Sequence, residues 1–289
     1  MGSEIAHQLE QKNIPVVELR RSSTARSMNA AATISPTPDG RRRGRTHIVG
    51  DVTHPESLRH LPSSISEIVY AVSPDNRTDR AYQQAYPLGL GNVVAALPGR
   101  RTVLITSTAV YEQSGGALVT EASACAANTF SAIRMREAEQ VAKKNGSHAV
   151  LRASGIYGPG RTSLVQRLVH EELSIEQKSV WTNRIHQADL AQLVVTLLLD
   201  QRAQGTFLAS DENPSQLGDM QDYLRGLPDI FDRIPPPDPR RQGRGTARRA
   251  SRRISPTRFD SIGFSLRYPS YREGYAQLLG VEPARRESS

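Results

Sequence analysis

The chain has 289 residues, 37% hydrophobic and 23% charged, with 21 Gly and 18 Pro: a soluble globular composition, long enough for one or two domains. Nothing approaches the ~20 consecutive apolar residues of a membrane span, no basic-then-apolar leader opens the chain, and the single cysteine, Cys125, excludes disulfide scaffolds and multi-cysteine zinc sites, so no metal is called for and a cytoplasmic setting fits. The net charge of +8 is carried almost wholly by arginine, since lysine occurs only at Lys12, Lys143, Lys144 and Lys178.

In chain order, a helical pattern over residues 3–12 leads into a β-branched run at 14–19. Further strand-length runs at 46–49, 67–72 and 102–106 alternate with helical patterns over 55–61, 80–96 and 131–144. A strand over 148–152 follows the Asn145-Gly146 turn. This alternation predicts parallel βαβ units, with a sheet covered on both faces. Beyond Arg152 the pattern loosens. Residues 155–161 read as a loop, 164–172 and 188–199 as helices, and 205–208 as a short strand. Asp189 is placed to cap the second of those helices. The stretch 235–251 is rich in Pro and Arg, 264–268 reads as a strand, and 271–279 as a closing helix.

The opening residues are the second half of a nucleotide-binding unit. Such a unit runs strand, Gly-rich turn, then a helix whose N-terminus faces the pyrophosphate. Here Met1-Gly2-Ser3 enters the helix directly, and the following strand ends in Glu18-Leu19-Arg20-Arg21. Gly2 takes the place of the last fingerprint glycine. Arg20 and Arg21 fall where the second strand meets the cofactor ribose. A carboxylate there would bind a free 2′-hydroxyl, whereas arginine accommodates a 2′-phosphate, so NADP(H) is favoured over NAD(H). Ordinary surface charge is the other reading of both arginines. The absent strand belongs in the middle of the sheet, where its neighbours would otherwise expose unpaired backbone groups. An upstream strand with a Gly-x-x-Gly turn is therefore expected before Met1.

Several motifs follow in order: Gly2 with Arg20-Arg21, then Gly50-Asp51-Val52, Thr106-Ser107-Thr108-Ala109-Val110-Tyr111, Gly155-Ile156-Tyr157-Gly158-Pro159-Gly160-Arg161, and Asn183-Arg184-Ile185-His186 with Asp189. Together they resemble the NAD-dependent epimerase/dehydratase family, the extended branch of the short-chain dehydrogenases/reductases. The resemblance implies an α/β fold: a Rossmann-like doubly wound parallel sheet over residues 1–152, lacking its first strand. A small substrate-side subdomain over 153–289 would follow, with 188–208 returning to the sheet. It implies that Asp51 bonds the adenine amino group with Val52 beside it; the residues alone equally allow Asp51 to cap the helix at Pro55. Ala71, Val72 and Ser73 would lie against the cofactor ribose and phosphates. Ser107 falls on the catalytic serine. Tyr111 and Tyr157 would supply phenols on the substrate side, and Arg161 and Arg184 would meet anionic groups there. His186 and Trp181 read as packing residues. By analogy with the family, a homodimer is expected.

Two catalytic positions depart from the family pattern. The family carries Tyr-x-x-x-Lys on a helix, with both side chains on one face and the lysine lowering the tyrosine pKa. Aligned on Glu137-Ala138-Glu139, the tyrosine position is Ser131 and the lysine position Met135. A thioether supplies no charge, and Arg134 and Arg136 project to other faces. The expectation is an NAD(P)-binding oxidoreductase or epimerase for a nucleotide-sugar-like small molecule, with that dyad replaced. The alternative is a non-catalytic NADP(H)-binding sensor or scaffold. Nucleic acid is the disfavoured partner, because the arginine runs 41–45 and 240–253 offer no groove-reading element.

Overall fold

In a computed structural model, which describes residues 1–21, 30–34, 45–237 and 251–282, the β-branched runs of the first half form strands and the periodic stretches form helices. Most of the arginine-rich runs, residues 41–44 and 238–250, lie outside the described residues. Helix α1 (Gly2–Gln11) leads into β1 (Val16–Arg20), followed by β2 (Ala30–Ile34), β3 (Arg45–Val49) and β4 (Glu67–Tyr70). The helix expected over 55–61 is one 3-10 turn, Pro55–Leu58. The helix expected over 80–96 is interrupted: α2 (Asp79–Gln83) passes through a π-helical turn, Gln84–Leu88, into α3 (Gly89–Ala96). Pro87 sits inside that turn, and a residue without an N–H cannot continue the regular bonding ladder.

Next come β5 (Arg101–Ser107), β6 (Ala117–Val119), α4 (Phe130–Lys144) and β7 (His148–Ala153). Part of the predicted loop at 155–161 is instead a strand, β8 (Gly155–Tyr157), which pairs in parallel with β10 (Arg184–His186). Between them lie α5 (Ser163–His170), α6 (Ile175–Lys178) and β9 (Trp181–Thr182). Helix α7 (Gln187–Leu199) and strand β11 (Gly205–Ala209) follow. The chain then forms β12 (Ser215–Gln216), α8 (Leu217–Arg225), α9 (Ile230–Arg233), β13 (Arg252–Ile254) and α10 (Tyr271–Leu279).

Among the described residues the main sheet has seven strands in the order β11-β7-β5-β4-β2-β1-β3. Six run in one direction. β2 alone opposes them, antiparallel to both β1 and β4. The central slot that the resemblance assigns to an opening parallel strand is thus held by β2, whose Ala32 lies opposite Glu18 on one side and Val69 on the other. The backbone groups of β1 and β4 are thereby paired, as burial in the middle of a sheet requires.

Helices cover both faces. One layer packs α1 and α7 on the sheet through Ile5, Leu9, Leu190 and Val194. The other packs α3 and α4 through Leu90, Val93, Met135 and Ala138. A third cluster joins α5, α8 and α10 through Leu168, Leu224 and Tyr275.

Two expectations about the second half are corrected. The cap of α7 is His186, whose Nδ1 accepts the Ala188 N–H at 3.2 Å. Asp189, fully buried, instead accepts the backbone N–H groups of Arg267 and Tyr268 at 2.9 and 3.0 Å. That anchorage also explains why 264–268 is irregular rather than a strand: its N–H groups bond to a side chain, and Phe264 and Leu266 pack on the sheet layer of α1 and α7.

Candidate functional site

Parallel strands bring their carboxyl ends to one edge, where the connecting loops diverge and leave a crevice. Such a cleft lies beyond the ends of β1, β3 and β4. Arg21, Asp51, Val52, Val72 and Ser73 line it, joined by Thr53, Asp75 and Asn76. The last three were not singled out from the sequence. The signal for two of them was the turn-forming Pro74-Asp75-Asn76 directly after a strand.

Gly50 makes the turn into this cleft. A Cβ there would lie 2.9 Å from Leu19 Cδ1 and 3.1 Å from the Ser57 carbonyl oxygen, so only glycine lets β3 end this close to β1. Asp51 Oδ1 accepts the Thr53 N–H and the Thr53 hydroxyl, both at 2.8 Å. It therefore holds the turn before Pro55, as the residues alone allowed, while lining the cleft. Its Oδ2 lies 3.8 Å from His54 Nδ1, and the carboxylate acts electrostatically on Arg21. Val52 is buried, and its carbonyl is held by Asn92 Nδ2 at 2.8 Å.

The two arginines part company. Arg21 reaches the cleft and donates two bonds to Asp75, each 2.6 Å. Arg20 lies one residue earlier on a strand whose side chains alternate between faces. It turns away from the cleft and bonds Glu18 Oε2 through Nε (3.0 Å) and Nη2 (2.5 Å). Glu18 is fully buried and also faces His47 at 3.2 Å and Arg45 at 3.5 Å. The assignment of Arg20 to the cofactor ribose is corrected accordingly.

Ser107 ends β5, and its Oγ accepts the Ala109 N–H at 3.2 Å to cap the 3-10 turn Thr108–Val110, on which α4 packs. Ser131 opens α4, with its Oγ 3.2 Å from Thr129 Oγ1. Met135 is buried in the core at 3% exposure. Neither neighbouring guanidinium is available: Arg134 pairs with Asp79 at 2.7 Å and Glu137 at 3.0 Å, and Arg136 bonds the Cys125 carbonyl.

Three side chains expected on the substrate side lie in the interior. Tyr111 is 1% exposed; its hydroxyl donates to the Thr120 carbonyl at 3.3 Å and accepts from Arg152 Nη1 at 2.9 Å. Burial pushes its pKa up, against the opposing pull of Arg152. Tyr157 donates to the Ser270 carbonyl at 3.4 Å and packs against His186 and Tyr275. Gly274 gives it room, since a Cβ there would lie 1.8 Å from its hydroxyl oxygen. Arg184 is buried beside Gly155 and donates to Thr182 Oγ1 at 2.6 Å; desolvation lowers its pKa. These residues pack the structure and do not open onto the cleft.

Arg161 is exposed, following the tight bridge Gly158–Arg161. It acts electrostatically on the Met1 amino group, whose pKa is lowered first by burial and then by Arg161. Gly2 is buried in the first turn of α1 and does not line the cleft around Asp51. Ala71 is half-buried against the layer of α1 and α7. His186 is buried between Tyr157 and Tyr268, and desolvation, then Arg267, lower its pKa to about 4. Among the described residues no helix is long and apolar enough to cross a membrane.

A mostly parallel sheet wound by helices on both faces, with a cleft at its carboxyl edge, defines a Rossmann-like α/β protein. The model of the NAD dependent epimerase/dehydratase family matches residues 1–207, and the chain belongs to that family. A Methylobacillus flagellatus chain assigned to the NAD-dependent epimerases/dehydratases is similar to it at 28% identity, with a TM-score of 0.72, covering 96% of this chain and 93% of its own. WbmG of Bordetella bronchiseptica, solved with NAD and UDP, is 14% identical with a TM-score of 0.69, covering 96% and 90%. MoeE5, solved with UDP-glucose and NAD, is 19% identical with a TM-score of 0.66, covering 96% and 94%. No curated protein matches the chain.

Proposed function

We propose that the cleft beside Asp51 takes the adenosine end of NAD(P)(H), and that the protein is an oxidoreductase or epimerase acting on a nucleotide-sugar-like small molecule. The observation that carries this reading is the convergence of Arg21, Asp51, Val52, Val72 and Ser73, from three strand ends, on one cleft. The NAD, UDP and UDP-glucose held by WbmG and MoeE5 support it.

The residues fit such a group. Among the described residues Asp51 Oδ2 makes no short hydrogen bond, and a carboxylate accepts only, which suits the exocyclic amine of adenine. Val52 and Val72 supply apolar walls for a ring, and Arg21 is the cleft guanidinium suited to a 2′-phosphate, which favours NADP(H). When bound, the nicotinamide gives or accepts a hydride. The chain's own part is to orient and to hold a proton. Ser107 holds a substrate oxygen at the end of β5, and exposed Arg161 meets an anionic substrate group.

Ser131 and Met135 stand where the family's tyrosine and lysine would be. With Met135 in the core and Arg134 and Arg136 engaged elsewhere, neither the dyad's lysine position nor its neighbouring arginines supply a cation to a hydroxyl on α4. The proton-transfer deficit is about 10²–10⁴-fold. That same observation favours a second reading, a non-catalytic NADP(H)-binding sensor or scaffold. Residues 1–152 would form the cofactor domain and 153–289 the substrate side, with 188–208 returning to the sheet; the packing of α7 on α1 and the pairing of β11 with β7 support this division. A homodimer and a cytoplasmic setting belong to the same reading.

The test is Ser73→Tyr, an exposed position whose enlargement fills the cleft without touching the core. Loss of NADPH and NADH binding with an unchanged melting temperature is expected. Unchanged binding overturns the proposal.

A further inference from the structure

Helix α4 packs on β5 and β7, and β11 ends the sheet beyond β7. Between that helix and that strand runs a second cleft, which shares no residue with the first. Side chains alternate along a strand, so His148 and Arg152 fall on the same face of β7, and both line this cleft. Glu139, Gln140 and Lys143 of α4 form one wall, and Gln204 and Thr206, just before and within β11, form the other.

Its buried floor is a balanced charge pair. Glu139 accepts Arg152 Nε at 3.0 Å and Nη2 at 2.6 Å, together with the Thr106 hydroxyl at 2.9 Å, so its charge is spent inside the protein. Arg152 Nη1 donates to the Tyr111 hydroxyl at 2.9 Å. A guanidinium has five N–H donors, and these bonds leave Arg152 two. His148 is tied back, its Nδ1 donating to the Gly146 carbonyl at 2.8 Å. The walls hold uncommitted polar groups: among the described residues the side chains of Gln140, Lys143, Gln204 and Thr206 make no hydrogen bond or ion pair. With Glu139 and Arg152 offsetting each other, Lys143 leaves the cleft positive.

A matching ligand is negative, accepts hydrogen bonds, and is met by donors from the floor and from both walls. The lone pairs of a carboxylate lie in one plane, which suits a single guanidinium but not three sides at once. The oxygens of a phosphate point to the corners of a tetrahedron. They can accept from Arg152 below, from Lys143 and Gln140 on the helix, and from Thr206 and Gln204 on the strand side together. We propose that this second cleft binds a phosphate group, as the free ion or as the phosphate of a small phosphomonoester. The proposal does not depend on the cofactor reading of the first cleft.

The full chain is titrated calorimetrically with inorganic phosphate and, separately, with glycerol 3-phosphate, in an amine buffer at constant ionic strength. Saturable binding at millimolar concentration or below is expected, and whichever of the two binds more tightly identifies the form of phosphate held. Acetate at the same ionic strength should give no saturable heat. Lys143→Gln should weaken phosphate by about fivefold, as loss of one partly exposed charged donor does. Lys143→Arg should retain it. Lys144→Gln removes the same charge one residue away, outside the cleft, and should leave the affinity unchanged. Unaltered melting temperatures show that these variants are folded. Arg21→Ala should keep this binding whatever happens to the dinucleotide, which separates the two readings. Absence of saturable heat with both phosphates, equal binding of acetate, or equal effects of Lys143→Gln and Lys144→Gln overturns the proposal.

Discussion

Arg21 and Asp75 are joined by two parallel hydrogen bonds of 2.6 Å, one residue following β1 and the other following β4, with β2 between those strands in the sheet. Both side chains are well exposed, at 38% and 58%, and both line the first cleft. An exposed pair of this kind holds geometry more than it adds stability.

The clamp therefore sets how readily Arg21 can turn to a ligand phosphate. Arg21→Ala should lower NADPH affinity by about tenfold while leaving NADH nearly unchanged, because only the former carries a 2′-phosphate. Asp75→Asn should release the guanidinium and raise NADPH affinity by a few-fold. Titrations of both cofactors against each variant check this; an equal loss of NADPH and NADH in Arg21→Ala would remove the arginine from cofactor discrimination.

Arg152 and Glu139 tie α4 to β7 inside the molecule. Two bonds of 3.0 and 2.6 Å join them, and Thr106 and Tyr111 satisfy further positions at 2.9 Å each. Glu139→Leu leaves a buried guanidinium without its counter-charge and should cost about 3–5 kcal/mol. Combining it with Arg152→Met removes both charges and should recover most of that loss. Urea unfolding of the two single variants and the double variant measures the recovery.

Asp189 replaces a regular strand ladder at the start of the closing segment by accepting two backbone N–H groups. Asp189→Ala should cost about 2–5 kcal/mol, at roughly 1.5–3 kcal/mol for each hydrogen bond to a charged group less some local relaxation. Hydrogen exchange should quicken first at Arg267, Tyr268 and along α10, well before the central strands.

His186 gives a pH dependence with a definite sign. Its folded pKa, about 4, lies below the ordinary 6.5, because desolvation and then Arg267 disfavour the imidazolium. The unfolded chain thus takes up the proton first. The contribution of neutral His186 is complete above pH 6.5 and is lost as pH falls towards 4, by roughly 3 kcal/mol in total. His186→Asn keeps an N-cap acceptor for α7 but does not titrate. The difference in unfolding free energy between the two proteins should change across that window and be flat above it.

The alternation of strands and helices was legible because β1, β4, β5 and β7 are β-branched runs buried on both sides, bounded by turn residues. β2 was not. Ala30–Ile34 opens on three alanines, a weak strand signal, and its antiparallel place is set by the open edges of β1 and β4, which is tertiary information. In the cleft, Asp51, Val52, Val72 and Ser73 could be read from their position just past strand ends. Which of Arg20 and Arg21 faces the cleft could not, since one residue of register inverts the side. The burial of Tyr111, Tyr157 and Arg184 was likewise hidden. Each is polar by type and is drawn inside by one partner, Arg152, Ser270 or Thr182, that is contributed by the folded chain.

Calorimetric titration of the full chain with NADPH and NADH, repeated on Asp51→Asn, tests the dinucleotide site most directly. Wild type should bind both, NADPH more tightly, and the Asn variant should weaken both by about tenfold, since its amide can turn a donor towards the adenine amine. Absence of heat with either cofactor, or binding that Asp51→Asn leaves untouched, would contradict it.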